Sequence, residues 1–143
     1  MQVFIVGSPL ETAKVLDRRR LNKQIVECQQ ILDALNGAKA WSNHLCTLQY
    51  RGHELWLYDY MRCLDCYRKG DIFSAEMFSG ACDCIKPSFH TEEFFTQMKC
   101  RLYSKDPIFY AQWMNLGMSE CNWYFVDNEW RYYKNGKRVK ESI

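Results

Sequence analysis

From Leu10 to Leu35 the chain contains neither proline nor glycine, and Leu21, Ile25, Cys28, Leu32 and Leu35 recur along it at spacings of four and three. That period places the five side chains on one stripe of an α-helix, so a long amphipathic helix must lie near the start of the fold. Ser8-Pro9-Leu10-Glu11 opens the helical region with a hydroxyl N-cap, a proline at the first helical position and a glutamate able to reach back. Asn36-Gly37 closes it. Asp17 is itself a capping residue, which leaves two forms open: one rod, or a short helix, a kink and a longer helix.

Further helices follow from the same signals. His53 to Lys69 is apolar around much of its circumference through Trp56, Leu57, Tyr60, Met61, Cys63 and Leu64, which predicts a central, largely buried helix stopped at Gly70. Residues 71–79 are only weakly helical by sequence, and Gly80 to Pro87 reads as a loop. Thr91-Glu92-Glu93 opens another helix with acids in its first turn. Asp106-Pro107 starts a short one through Tyr110 and Trp113 that Gly117 terminates. The period then changes. Segments 123–126, 129–134 and 137–139 are separated by Asp127-Asn128 and Asn135-Gly136, the pattern of a small meander or hairpin. The expectation is a mainly α, compact single domain over residues 1–143, with four or five helices in a core of about 1–117 and a β-hairpin at about 122–140.

Composition excludes several classes. At 48% hydrophobic and 25% charged residues the chain is not of the disordered type. No apolar run is long enough to span a bilayer, and the start, Met1-Gln2-Val3-Phe4-Ile5, lacks the basic and apolar regions of a signal peptide. A cytoplasmic location is the expectation, with the eight cysteines as reduced thiols, several buried. Cys63, Cys66, Cys82 and Cys84, with His90 near in sequence, have thiolate pairs at short spacing, but the first pair falls within a helix and the second is not a standard zinc knuckle. Buried thiols are the better reading, and neither metal nor cofactor is expected.

The net charge of +2 identifies no partner, so the distribution of charge has to. Arg18, Arg19, Arg20 and Lys23 lie within two helical turns, with Asn22 and Gln24 among them. Phosphate oxygens are natural ligands for such a cluster, against the plain alternative of a solvated helix face. Lys137 and Arg138 repeat the theme beside Trp130, Tyr132 and Tyr133, a basic and aromatic mixture suited to phosphates and unstacked bases or simply to an exposed turn. Glu27 and His44 are candidates for moving protons, and the Met1 α-amine, less basic than lysine, can attack a sugar aldehyde as a Schiff-base nucleophile.

Three segments, in order, resemble the pyrimidine dimer DNA glycosylase family of the phage endonuclease V type. Val15 to Glu27, with Asp17-Arg18-Arg19-Arg20-Leu21-Asn22-Lys23-Gln24 at its centre, is similar to the family's basic helix near the start. Asn43-His44 with Tyr50-Arg51-Gly52-His53-Glu54 is similar to its Asn-His and aromatic-Arg-Gly stretch, and Lys105-Asp106-Pro107-Ile108-Phe109-Tyr110 to its Lys-Asp-Pro element. The likeness covers residues 1 to about 115. It implies a helical core, a basic face that grips and bends double-stranded DNA, extrusion of a damaged or modified pyrimidine, attack by the terminal amine and strand cleavage by β-elimination, without metal or cofactor. The resemblance and the residue chemistry together make Met1, Glu27 and His44 the candidate catalytic residues and Arg18, Arg19, Arg20, Asn22, Lys23, Gln24, Asn43 and Arg51 the DNA-binding ones, with Lys137 and Arg138 added from the basic and aromatic pattern of the hairpin alone. Two departures stand out. Arg20 occupies the position of the family's catalytic glutamate, leaving Glu27 as the nearby acid, and the chain ahead of the basic helix is about two residues shorter. These departures keep two other functions in play: a DNA-binding module without catalysis, and a protein-interaction or inhibitor domain.

Overall fold

The computed structural model describes residues 1–116, 122–134 and 137–139. It is mainly helical, with a small antiparallel sheet at the C-terminal side, and it divides into two units, Met1–Ser88 and Phe89–Ile143.

The first unit is built on α1 (Pro9–Val15), α2 (Arg18–Leu35), α3 (Leu45–Tyr50), α4 (Glu54–Arg68) and α5 (Ile72–Asp83). The kinked form of the first helical region is the one adopted. Leu16 and Asp17 are both extended, Asp17 caps α2 through the N–H of Arg20, and Ser8 caps α1 through the N–H of Glu11. Leu21, Cys28, Ile31 and Leu32 face inward from α2 onto α4, whose Leu57, Tyr60 and Leu64 are fully buried. Tyr50, Trp56 and Tyr60 stack in sequence, with ring centroids 5.7 and 5.0 Å apart, and form the aromatic centre of the unit.

Two helices depart from the sequence expectation. Residues 72–83 form α5, a continuous helix running through Gly80 where a loop was expected. Asp71 caps it by accepting from the Ser74 N–H, and its inward face is made of small side chains, Ala75, Ser79 and Cys82, that let it lie close against α4. Small residues carry little apolar signal, which hides the period. Ser79 also accepts the N–H of Leu10, one of the free donors at the start of α1. The six-residue α3 has no counterpart in the sequence reading, because its cap is His44, not one of the usual capping residues.

In the second unit Thr91 caps α6 (Glu92–Lys105) as expected. After Asp106 the chain makes turns and a single 3-10 turn at Ala111–Trp113 in place of the short α-helix; Gly117, read as its terminator, lies outside the described residues. Strands β1 (Trp123–Val126), β2 (Glu129–Lys134) and β3 (Lys137–Val139) form a meander, pairing Trp123 with Tyr132 and Tyr132 with Val139. Asp127 and Asn128 both have positive φ, 53° and 63°, the conformation that a two-residue hairpin turn demands. Asn135-Gly136 lie outside the described residues. Gln97 ties α6 to the sheet by donating to the Trp123 carbonyl at 2.9 Å, and Phe89, Phe94, Phe125 and Trp130 pack as an aromatic cluster.

Gly80 is exposed, lies within α5, and a β-carbon built there meets no atom within 4 Å. Gly80→Ala removes backbone freedom from the unfolded chain at no steric cost, so we expect a gain of about 0.5–1 kcal/mol in chemical denaturation. A loss of stability would show that residues 80–83 are not helical in solution.

Candidate active site

Val3, Phe4, Ile5 and Val6 are buried, yet residues 1–5 belong to no helix or sheet. A buried backbone without strand partners must find hydrogen bonds among side chains. Gln24 of α2 supplies two: its Oε1 accepts from the Phe4 N–H, and its Nε2 donates to the Gln2 carbonyl at 2.7 Å. Tyr60 of α4 donates its hydroxyl to the Phe4 carbonyl and lies 3.3 Å from Gln24 Oε1. Thr12 of α1 accepts from the Val6 N–H at 3.0 Å. Three helices thus hold the first six residues.

One turn beyond Gln24 on α2, Glu27 accepts from the Gln2 N–H through Oε2 at 3.3 Å. Its other oxygen lies 3.9 Å from the Lys23 ammonium. The Glu27 side chain is only 13% exposed and that of Lys23 is 71% exposed, so the carboxylate sits in the fold and the lysine reaches into solvent. The terminal amine is one residue from the N–H that Glu27 holds.

His44 completes the group. As the cap of α3 it accepts the Cys46 N–H on Nδ1 at 3.0 Å, which leaves Nε2 to carry the proton of the neutral ring. Burial lowers its pKa below the ordinary 6.5, the positive terminal amine lowers it further, and the Glu27 carboxylate opposes both. The terminal amine and the Glu27 carboxylate are therefore both within electrostatic reach of the His44 imidazole, and these are the three candidate catalytic residues of the sequence reading. The arrangement suits covalent amine chemistry: a nucleophile, an acid or base beside it, and an imidazole held neutral to donate one proton.

The residues expected to bind DNA separate. Positions 20 and 27 differ by seven, nearly two full turns, so Arg20 and Glu27 share a side of α2 with Lys23 between them. Arg20 is partly buried and bonds to Asp17 at 3.2 Å, and Arg19 and Lys23 are exposed. Positions 18 and 27 differ by nine, two and a half turns, so Arg18 projects from the opposite side. There it lines a surface cavity of about 390 Å³ with Lys14, Tyr67 and Arg68. Asn22 is exposed, as are Asn43 beside His44 and Arg51 at the end of α3. Gln24 differs from its expected outward role: it is 1% exposed and its amide is committed to the chain start. Lys137 and Arg138 are exposed on β3 in the second unit, where Arg138 pairs with Glu129 at 3.1 Å. Arg20 is an ion-pair partner of Asp17, whereas Glu27 is the acid beside the chain start.

Tyr60 was legible only as a core aromatic; nothing in its spacing signals that its hydroxyl would hold the Phe4 carbonyl. Among the described residues no group of three or more histidines, cysteines or acids converges as a metal site. Cys63 and Cys82 are buried and burial raises both thiols to about 12, while Cys84 is exposed. His90 belongs to the second unit and stacks on Phe94 at 5.3 Å.

Residues 1–66 match the family model described as pyrimidine dimer DNA glycosylase. Over these 66 of the 143 residues, less than half of the chain, the sequence is similar to that family. The matched stretch contains α1 to α3 and most of α4, and with them Met1, Gln24, Glu27, His44 and Tyr60. The Lys105–Tyr110 element lies beyond it. Neither a curated protein nor a solved structure matches the chain. Among the described residues no helix is long and apolar enough to cross a membrane.

The histidines give the site a pH signature. Burial lowers the pKa of His44, and also of His53 at the start of α4, below 6.5. The unfolded chain therefore binds more protons than the folded one in the interval just under 6.5, and stability rises with pH through that interval. Melting temperature is expected to fall as pH drops from 7 towards 5, and less so in His44→Asn, which keeps a capping acceptor without a titrating ring. Identical pH profiles for the two proteins would mean that His44 is not buried as described.

Proposed function

We propose that the protein is a glycosylase and abasic-site lyase acting on a damaged or modified pyrimidine in double-stranded DNA, with the Met1 α-amine as nucleophile. The reading is carried by one observation: within the family-matched stretch, the residue next to that amine is hydrogen-bonded to a partly buried carboxylate, Glu27, and the amine and carboxylate both act electrostatically on His44.

The chemistry follows from these groups. The unprotonated amine attacks C1′ of the damaged nucleotide, and the base leaves with the electron pair of the glycosidic bond and takes up a proton. The sugar ring opens as an imine forms between the Met1 nitrogen and C1′. Glu27 assists the proton transfers and accepts the C2′ proton, whereupon the 3′ phosphate departs and the strand is cut. Water then hydrolyses the imine and frees the amine. His44, with its proton on Nε2, donates to the departing base or to the sugar oxygen as the ring opens. Arg19 and Lys23, exposed on the turns of α2 before Glu27, meet the backbone phosphates.

The test is incubation of untagged protein with ultraviolet-irradiated and abasic duplexes at low salt, with and without borohydride. Borohydride reduces the C=N bond and leaves a stable protein–DNA adduct. We expect base release from the first substrate, strand cleavage of both, and a trapped adduct. Glu27→Gln should lower the single-turnover rate on the order of 10²–10⁴-fold, the range of a general acid–base, with DNA affinity retained. Arg19→Ala and Lys23→Ala should each weaken binding and reduce the salt slope by about one. Binding with neither adduct nor cleavage would assign the chain to a non-catalytic DNA module, and no binding at low salt would point to a protein partner.

A further inference from the structure

We propose that Trp41 is a stacking platform for an unstacked nucleic-acid base beside the Met1, Glu27 and His44 site; the inference rests on the DNA-acting reading above.

Trp41 has φ +65°, in the left-handed region that bulky residues rarely occupy. Trp41 is not a core residue, being 46% exposed. A tryptophan is thus held in a costly backbone conformation with nearly half of its surface in water, a combination that marks ligand-contact positions. The turn that imposes it is fixed at both ends. Ala38 N–H bonds to the Asp33 carbonyl at the end of α2, and His44 N–H bonds to the Trp41 carbonyl at 3.1 Å as His44 begins α3. The backbone that carries the ring is therefore held in place before any ligand arrives.

Its position selects the ligand. The Trp41 ring meets the His44 ring edge to face, with centroids 5.8 Å apart and planes at 74°. One ring edge is thereby anchored to the site. Lys39 and Asn43, two residues before and two after it in the sequence, are both exposed and offer a cation for a phosphate and an amide for a base edge. A flat, half-exposed π surface with a cation and an amide close by in the sequence suits a nucleobase, and stacking of this kind accepts any base. The base in question is one that has lost its stacking neighbours at a lesion. Trp41 would cover it while the damaged nucleotide faces the amine.

The experiment compares the affinity of the full, untagged chain for a fully paired duplex and for one carrying a tetrahydrofuran abasic analogue, which cannot form an imine. Wild type should prefer the lesion duplex. Trp41→Asn removes the ring while asparagine still accepts the left-handed backbone; it should reduce that preference on the order of tenfold, as expected for the loss of one stacked base, and leave affinity for the paired duplex within about twofold. Trp41→Phe should keep most of the preference. An undiminished preference in Trp41→Asn overturns the proposal, and so does an equal loss in Trp41→Phe, which would make the residue structural. Wild-type binding to both duplexes without preference overturns the platform but leaves DNA binding intact, whereas wild type binding neither duplex removes both.

Discussion

The arrangement depends on how a buried, non-regular stretch of chain satisfies its backbone. Val3 to Val6 are apolar enough to enter the core, but entry strips water from their N–H and C=O groups, and they belong to no strand that would replace it. An unpaired buried group costs about 1–3 kcal/mol. Gln24, Tyr60 and Thr12 meet that demand from three different helices. The same bonds define where the chain begins, and hence that its first residues run past Glu27. A requirement of folding thus fixes the geometry on which the proposed chemistry relies.

Much of this was legible in the sequence, for local reasons. Ser8, Asp17 and Thr91 cap helices in the structure, and the alternating tail forms the strands. Local chemistry failed where the determinant was a distant partner or a small side chain. The inward face of α5 is alanine, serine and cysteine, which reads as weak helix until α4 is there to receive it. Gln24 reads as part of a polar cluster, although it lies three residues after buried Leu21 and four before buried Cys28 and so falls on the inward stripe. A polar residue on such a stripe signals a buried amide with a specific partner; the partner, a carbonyl 22 residues away, is invisible to periodicity.

The basic cluster shows the same limit. Four cations close in sequence invite a single phosphate-binding face, but a helix distributes them around its axis. Arg18 turns towards Lys14 and Arg68, Arg20 towards Asp17, and Arg19 and Lys23 remain for solvent. Charge density in sequence therefore overstated the size of the face and understated its focus, since Lys23, its closest cation, is paired with Glu27. The acid next to the chain start is Glu27, seven residues and nearly two turns after Arg20 on the same helix.

The central claim is that Gln24 holds the terminal amine at Glu27, and it is tested most directly by mapping the borohydride-reduced adduct on abasic DNA by peptide mass spectrometry in wild type and in Gln24→Leu. The account predicts an adduct on the Met1 nitrogen in wild type. In Gln24→Leu, which strands the Phe4 N–H and the Gln2 carbonyl, the yield should collapse while DNA affinity stays within about twofold, because no phosphate-facing cation has been altered. An adduct on Lys23, or a full yield on Met1 without Gln24, would contradict it.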